Sequence, residues 1–373
     1  MEKVVSIIGA GLAGCECAWI LANNNIKVKL YEMKPEYKSE AHTSNDFAEL
    51  VCSNSLKSES LTNACGLLKK EMEILDSLFI EAAYKANIPA GEGLAVDRDI
   101  SPKYITEKIK WNSNIEIINK ELCNVDDIDG IKVVATGPLT TNKLMESLKN
   151  KIGDDSLYFF DAAAPIIDAD SIDYTKAYFM DRYGTVGQGD YLNLSMNKEE
   201  YLNFYNELIN AKSATRHSFD KLVLFEGCMP IEEMAKRGEK TLVFGPLKPV
   251  GLENPAIDEK PYAVVQLRAE NEEKTIYNMV GFQTSLAFGE QKRVFSMIPG
   301  LENAKFERYG VMHKNTYING GKLLDNNFCL KKDNDIYFAG QISGVEGYVE
   351  SAASGMMAAY SIIKRFKNEK IEF

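Results

Sequence analysis

The glycines of the GAGLAG segment constrain the fold of this chain more than any other feature. The segment follows a continuous apolar run, VVSIIG, and leads into CECAWILANNN, which has the pattern of an amphipathic helix. Gly9 permits a tight turn, Gly11 lets a pyrophosphate approach the backbone, and Gly14 lets helix and strand pack closely. The order of strand, turn and helix predicts a dinucleotide-binding unit. The residues of the turn are its candidate cofactor contacts: Gly9, Ala10, Gly11, Leu12, Ala13 and Gly14.

A second apolar run, KVKLYE, ends at an acidic residue, Glu32. In dinucleotide-binding units a carboxylate at this place accepts hydrogen bonds from the adenosine ribose. Glu32 therefore supports dinucleotide binding, although ribose recognition does not separate NAD from FAD.

Two later segments favour FAD. IKVVATGPL has the pattern of a buried strand that enters a Gly–Pro turn, and DIYFAGQISGVEGYVESAASGMMAAYSII that of a strand, a glycine-rich turn and a long helix. The backbone of Gly340 and Gln341 can approach the flavin or its ribityl phosphate, while Gly344, Gly347 and Ala352 allow close packing. The alternative is a tightly packed helix with no ligand.

A nucleotide domain whose last strand and helix return after a long interruption is typical of two-part FAD folds. We expect an α/β protein with an FAD-binding, Rossmann-like domain of the two-part, glutathione-reductase type, formed by residues 1–167 and 305–373. Residues 168–304, where the pattern changes to short strands and helices, are expected to form an inserted α+β domain that faces the flavin.

Several individual elements can also be predicted. Residues 64–86 have a helical pattern with an apolar stripe, which we interpret as core. The stripe consists of Leu67, Leu68, Met72, Leu75 and Leu78. Within the inserted segment NKEEYLNFYNELINA predicts a helix, KLVLFEG and TLVFG predict strands, and YAVVQLRAENEEKTIYNMVGF predicts a hairpin.

The charge balance limits the partners. The chain has 373 residues and a formal net charge of −11, which argues against non-specific binding of DNA or RNA. An RNA partner must therefore meet a local basic surface, for which segments such as EKIKW and GEQKRVF are candidates. No apolar run is long enough for a membrane span and the N-terminus does not resemble a signal peptide, so we expect a cytoplasmic protein with no membrane partner.

The cysteines form neither a disulfide framework nor a zinc motif, because their number is odd and no CxxC pair occurs. They are Cys15, Cys17, Cys52, Cys65, Cys123, Cys228 and Cys329. The three histidines are too far apart in sequence for a local metal-binding motif, and no metal site is predicted. We expect reduced thiols.

Two of the thiols share an unusual setting. Cys52 in FAELVCSNSL and Cys228 in LFEGCMPIE each end an apolar run, and Cys228 precedes a predicted helix start. A cysteine near a helix N-terminus can have a lowered pKa, which favours the thiolate. Taken singly, each is better explained as a packed core residue. Together in a flavoprotein they fit a redox pair, or a nucleophile with an acid or base.

Long motifs then point to a known family. FAELVCSNSL, LTNACGLLKKEM, FEGCMPIE, FGPLKPVGL, YGVMHKNTYIN and FAGQISGVEGYVESAASG occur in order along the chain. Through them the chain resembles the folate- and FAD-dependent RNA uracil-5-methyltransferases of the TrmFO family. The FAGQ segment is also similar to the flavoproteins that modify the wobble uridine of tRNA, but the two cysteine motifs favour the methyltransferase branch.

The resemblance implies a reaction and its cofactors. Methylenetetrahydrofolate would give its one-carbon unit to reduced FAD, the flavin would pass it to C5 of a uridine, and NADH or NADPH would supply electrons. C5 of uracil is a poor nucleophile until a thiolate adds at C6, and the C5 proton must later leave to a base. Cys52 and Cys228 match the two catalytic thiols and share these roles, without an assignment of either.

Other site residues are also implied by the resemblance. His313 is expected against the folate pterin, with a structural histidine as the alternative. Tyr348 beside the flavin helix and Asn54 beside Cys52 are further candidates. Three residues are expected either to bind substrate or RNA phosphate or to have structural roles: Arg98, Gln283 and Thr284.

The RNA target stays open at this point. Family members continue beyond the helix in which this sequence ends, and NGGKLL replaces an expected Ser–Pro turn. The leading target is the T-loop uridine of tRNA. The alternatives are a uridine of 23S ribosomal RNA with the same chemistry, and a flavin-binding protein that recognises RNA without catalysis.

Overall fold

A computed structural model describes residues 3–39, 41–153, 156–214, 229–253 and 260–369 of the chain. Its strands are β1 Val4–Ile8, β2 Lys27–Glu32, β3 Ser55–Ser58, β4 Asn87–Ile88, β5 Gly93–Val96, β6 Ile115–Asn119, β7 Lys132–Val134, β8 Ser156–Ala162, β9 Ile166–Asp168, β10 Ala177–Phe179, β11 Tyr191–Met196, β12 Ala263–Ala269, β13 Ile276–Met279, β14 Phe306–Arg308, β15 Met312–Ile318, β16 Cys329–Leu330 and β17 Asp333–Phe338.

The α-helices of the described ranges alternate with these strands. They are α1 Leu12–Asn23, α2 Ala64–Ile74, α3 Leu78–Lys85, α4 Ile100–Trp111, α5 Asn142–Ile152, α6 Lys198–Asn210, α7 Ile231–Ala235, α8 Phe288–Phe295, α9 Gly320–Leu323 and α10 Tyr348–Lys367. Within the described ranges, none of the helices is both long and apolar enough to cross a membrane.

The first sheet has the strand order β16-β17-β7-β1-β2-β6, and all of its pairs are parallel except β16 with β17. Parallel strands are covered by helices on both faces, which explains why β1 is a continuous apolar run. Helices α1 and α10 pack together on one face, and α5 contributes to the core on the other. The last strand and helix thus return to the first strand, as the two-part α/β prediction requires.

The second sheet is antiparallel, with the order β10-β11-β12-β13-β9-β14. Helices α6, α7 and α8 share its apolar core. A capping box starts α6, because the Asn197 side chain accepts from the Glu200 N–H and the Glu200 carboxylate accepts from the Asn197 N–H. The arrangement is α+β, as predicted. The domain division itself stays a prediction, and its first boundary, 167/168, falls inside β9.

Two smaller sheets complete the described part of the fold. Strands β8 and β15 form an antiparallel ribbon, and β3, β5 and β4 form a three-stranded sheet. Strand β3 begins at Ser55, directly after the segment that carries Cys52. The small sheet therefore holds one end of that segment.

Two predicted elements are wrong. The single helix over residues 64–86 is two helices, α2 and α3, because Asp76 adopts a left-handed φ of 56° and the Ser77 side chain caps α3. Of the predicted stripe, Met72 and Leu78 are buried, whereas Leu67 and Leu75 are 48% and 43% exposed. The TLVFG segment is a series of turns, and KLVLFEG lies outside the described residues.

Candidate functional site

The glycine turn between β1 and α1 has the geometry that its sequence predicts. Gly9 has a φ of 99°, and a Cβ on it would lie 2.7 Å from the Ala135 carbonyl oxygen. A Cβ on Gly14 would lie 1.9 Å from the Gly9 carbonyl oxygen, so helix and strand can approach only with glycine there. A Cβ on Gly11 would have no neighbour closer than 3.9 Å, and this residue faces a groove.

The groove and the solvent at its open mouth together contain about 1100 Å³ of space. It runs from the carboxyl ends of β1, β2 and β7 to the start of α10, the crevice in which parallel α/β sheets bind ligands. The predicted cofactor residues that line it are Gly9, Ala10, Gly11, Leu12, Ala13, Glu32, Gly340, Gln341 and Tyr348. Their role in binding FAD stays a prediction, but this arrangement brings them together.

Glu32 is buried at the end of β2 and is fixed by the backbone on both sides. One carboxylate oxygen accepts from the Ala10 N–H at 2.8 Å, and the other accepts from the Lys34 N–H at 3.0 Å. Each oxygen keeps a free lone pair for a ribose hydroxyl. The carboxylate therefore both holds the glycine turn and presents acceptors to the groove.

The second glycine-rich turn closes the groove from the side of β17. Gly340 has a φ of 77°, and its N–H donates to the Ser354 hydroxyl at 2.7 Å. The Gln341 side chain donates to Glu346 at 3.2 Å. Gly347 is not one of the residues that line the groove; its φ of 104° instead allows the chain to enter α10.

Cys52 follows a residue that lines this groove, Val51, on a segment that we call the Cys52 loop, residues 50–54. Its thiol is half-buried, and its N–H donates to the Tyr348 hydroxyl at 2.7 Å. The Ser53 N–H donates to the same oxygen at 3.2 Å. Burial raises the pKa of Tyr348, so the hydroxyl stays neutral and keeps these bonds. Because Tyr348 also lines the groove, it joins the loop to the cofactor site.

Arg98 holds the same loop from the opposite side. Its guanidinium donates to the Leu50 carbonyl at 2.8 Å and the Cys52 carbonyl at 2.7 Å, and it forms a buried ion pair with Glu270. The prediction left open whether Arg98 binds phosphate or has a structural role. These contacts favour the structural role, because each of its three nitrogens donates to the loop or to Glu270.

The Asn54 side chain also forms its hydrogen bonds within the protein. Its amide nitrogen donates to the Ala269 carbonyl at 3.2 Å, and its amide oxygen accepts from Arg268 at 3.0 Å. A second Arg268 nitrogen donates to the Ser53 hydroxyl at 3.0 Å. The amide is fully buried, which leaves it no exposed surface for a substrate.

Sequence reasoning missed Arg268 and Glu270. Both lie at the end of β12, more than two hundred residues from the Cys52 loop in sequence. The alternation of side chains along a strand places residues two apart on one face, but nothing local indicates which loop that face meets.

The other predicted site residues do not all reach this region in the described part of the chain. Cys228 lies outside the described residues. His313 lies on β15 opposite Asp161, but its side chain lies outside the description. Gln283 is half-buried, and its carbonyl accepts from the Ile231 N–H at 2.7 Å. Thr284 is buried and donates to Glu232 at 2.9 Å, a structural contact.

The accessible position of Cys52 contrasts with two other thiols. Cys15 and Cys17 are enclosed in α1, where burial raises the pKa of both thiols. A thiol in such surroundings is inert, since the thiolate is the reactive form. Cys52, by comparison, is only half-buried and lies beside the groove.

Comparisons with known proteins agree with this geometry. The family described as "Glucose inhibited division protein A" matches residues 4–370. A protein of Acetivibrio thermocellus named methylenetetrahydrofolate–tRNA-(uracil-5-)-methyltransferase TrmFO is 59% identical, over 98% of this chain and 84% of the relative. A protein of Fusobacterium nucleatum with the same name is 57% identical, over 99% and 85%.

Solved structures resemble the chain in fold. Two crystal forms of Aquifex aeolicus GidA superpose with TM-scores of 0.75 and 0.73 at 17% and 16% identity. This chain is covered completely in both superpositions, and it spans 67% and 65% of the Aquifex aeolicus chain. At this identity the likeness concerns the fold alone.

Proposed function

We propose that this chain methylates C5 of a uridine in tRNA. The proposal follows from its family: the chain belongs to the glucose inhibited division protein A family and, within it, to the group of relatives named TrmFO. Methylenetetrahydrofolate would donate the one-carbon unit, FAD would be the resident cofactor, and NADH or NADPH the reductant. One structural observation carries the proposal. The Cys52 loop is fixed to Tyr348, a residue of the groove that fits a dinucleotide cofactor.

The residues of the groove fit FAD. The glycine turn leaves backbone space at Gly11, Glu32 presents acceptors for the ribose, and Gly340 and Gln341 lie at the far side of the groove. Bound FAD would supply the redox chemistry that carries the one-carbon unit and takes it from the methylene to the methyl level. The chain must then position the uracil and move protons.

The thiols would perform these two tasks. Addition of a thiolate to C6 turns C5 into an enolate-like nucleophile, which forms the new carbon–carbon bond. A base then removes the C5 proton, and the sulfur–C6 bond breaks to restore the aromatic ring. Cys52 and Cys228 share these roles in the proposal. Tyr348 and Arg98 would keep the Cys52 backbone in place on both sides of the thiol.

The partner and compartment follow from the same proposal. Relatives with 54–59% identity bear a name that specifies tRNA, which favours tRNA over ribosomal RNA as the target. The described cysteines are free, which supports a reducing compartment such as the cytoplasm.

The decisive experiment uses the full chain with bound FAD. Transcripts of tRNA and of 23S ribosomal RNA are incubated with methylenetetrahydrofolate and NADH or NADPH, and digested nucleosides are analysed by mass spectrometry. We expect 5-methyluridine in tRNA only. A methyl group in ribosomal RNA alone would change the target, and none in either would favour a binding protein without catalysis.

Cys52→Ala should reduce product at least about a thousandfold while the flavin absorbance is unchanged, because the backbone contacts of the loop remain. The matched control is Cys65→Ala, another half-buried thiol, which lies on α2 and has no groove-lining residue beside it in sequence. Full activity of Cys52→Ala would refute a catalytic role for this thiol.

A further inference from the structure

Two arginines contact the Cys52 loop and a third lies near one of them, and among the described residues only one carboxylate forms an ion pair with any of the three. Arg98 and Arg268 contact the loop directly, and Arg308 at the end of β14 is close enough for its charge to act on Arg98. Glu270 is the ion-pair partner of Arg98. The carboxylates of Glu49 and Asp99 also act on Arg308 through their charges, but neither is within ion-pair distance of it.

Two of these guanidiniums are held by contacts within the protein. Arg98 contacts Glu270 and two loop carbonyls, and Arg268 contacts the side chains of Ser53 and Asn54. Both arginines are largely enclosed, so their positions are set by the protein. Their enclosure makes both guanidiniums less accessible to a ligand than that of Arg308.

Arg308 is different. It is half-buried, and its only hydrogen bond within the described ranges is a long one, 3.5 Å, to the Thr43 hydroxyl. No carboxylate of the described residues lies within ion-pair distance of it. Glu49 is near, but its carboxylate already accepts from the Thr43 N–H and hydroxyl and from the Ser44 N–H. Burial and the charge of Arg98 lower the pKa of Arg308, and the charges of Glu49, Glu270 and Asp99 oppose this shift only in part.

The position of Arg308 indicates which anion would fit. Thr43 belongs to the segment that also supplies His42 and Glu49 to the groove wall. Arg308 thus reaches from the second sheet to the rim of the groove, near the Cys52 loop. A uridine that enters to meet Cys52 must bring its backbone phosphates across such a rim.

We propose that Arg308 binds a backbone phosphate of the RNA substrate next to the target uridine. The proposal rests on the proposed function. A guanidinium with free donors can bind two phosphate oxygens at once, which fixes both the position and the orientation of the nucleotide. Arg308 would therefore take the phosphate-binding role that the sequence offered for Arg98.

The test measures steady-state methylation of a tRNA transcript between about 50 and 200 mM salt. Arg308→Gln should raise KM for tRNA about tenfold, with kcat changed less than about twofold. The slope of log(kcat/KM) against log salt should fall in magnitude by about 0.7 to 1, the value for one phosphate contact. Arg308→Lys should keep the salt slope, because the charge remains, but not the full affinity.

The matched control is Arg365→Gln, which removes the same charge from an arginine near the C-terminal end of α10 that is paired with Asp335. It should leave KM for tRNA and the salt slope unchanged. Thermal unfolding and flavin absorbance of each variant identify any loss of folding, and in that case Arg308→Lys carries the test.

Two results would overturn the inference. One is a KM and salt slope of Arg308→Gln equal to those of the wild type. The other is a rise in KM for methylenetetrahydrofolate instead of tRNA, which would assign the anion to the folate carboxylates. If the wild type methylates no RNA, the proposed function fails separately, and direct binding of labelled tRNA by wild type and Arg308→Gln still tests the contact.

Discussion

At the scale of single residues, Glu16 is an acid placed in the core. It lies on α1 and is almost completely buried, and one carboxylate oxygen accepts from the Phe79 N–H at 2.9 Å. Its other oxygen is buried without a hydrogen-bond partner among the described residues. Burial raises the pKa of Glu16 from 4.5 to about 7. The charged form is therefore costly in the folded state.

This makes the stability of the protein depend on pH in a known direction. The pKa of Glu16 is higher in the folded state, so the folded protein binds more protons between pH 4.5 and about 7. Stability therefore falls as pH rises through this window. Above it the ionised carboxylate costs about 3 kcal/mol, since a tenfold change in the acid dissociation constant corresponds to about 1.4 kcal/mol.

Glu16→Gln removes this cost, because the amide stays neutral. We expect the free energy of unfolding to rise by about 3 kcal/mol at pH 8 and to change little near pH 5. Urea unfolding of both proteins at the two pH values measures the difference. An equal change at both would show that ionisation of Glu16 does not limit stability.

At the scale of elements, the contact of α1 with α10 depends on a glycine. A Cβ on Gly355 would lie 2.1 Å from the Ala13 carbonyl oxygen. The two helices could then no longer approach as they do, and α1 carries the glycine turn of the groove. The packing of α10 thus fixes the position of α1 and, with it, the shape of the turn between β1 and α1.

Gly355→Ala should destabilise the protein by about 1 to 3 kcal/mol, because the added methyl group forces the helices apart. It should also weaken retention of FAD during gel filtration. The control is Gly289→Ala at the second residue of α8, where a Cβ would meet nothing within 4 Å and the loss of glycine should stabilise the protein by no more than about 1 kcal/mol. Similar melting temperatures for the two variants would contradict this account.

The same scale shows what the sequence can predict. The glycine turn, Glu32 and the hairpin of β12 and β13 depend on residues close in sequence, and the structure contains all three. The break between α2 and α3 was missed because the apolar residues on either side of Asp76 continue a helical pattern. The helix ends there because Asp76 has a left-handed φ. A polar residue in that conformation leaves no periodic signal.

At the scale of the whole molecule, the Cys52 loop joins the two large sheets. Arg98 comes from the side of the first sheet, and Glu270 and Arg268 come from the second. These partners are far apart in sequence, and pattern reasoning has no means to pair them. Arg98 is an example: its sequence left phosphate binding open, because only the folded structure shows that Glu270 pairs with its guanidinium.

Removing the ion pair of Arg98 and Glu270 should separate its effect on protein stability from its effect on the position of Cys52. Glu270→Gln leaves the enclosed Arg98 without its counter-charge, and we expect a loss of about 3 kcal/mol in unfolding free energy. The double variant Arg98→Met, Glu270→Leu should recover most of that stability, because it removes both charges. Its kcat should nevertheless stay at least about tenfold low, because the Leu50 and Cys52 carbonyls lose their donor.

Urea unfolding and methylation kinetics measure the two quantities on the same proteins. Glu302→Gln, which removes the partner of the exposed Lys176, is the control and should cost less than about 1 kcal/mol. If kcat recovers together with stability in the double variant, Arg98 does not position Cys52.

The bond between Cys52 and Tyr348 also sets an order of events during synthesis. A nascent chain leaves the ribosome from its N-terminus, so Cys52 emerges early, while the hydroxyl that accepts its N–H emerges 296 residues later. The Cys52 loop can therefore reach its final form only after α10 has been translated. Until α10 has docked against α1, the groove beside the thiol is incomplete. A chain released before α10 is translated therefore carries Cys52 in a catalytically inactive form.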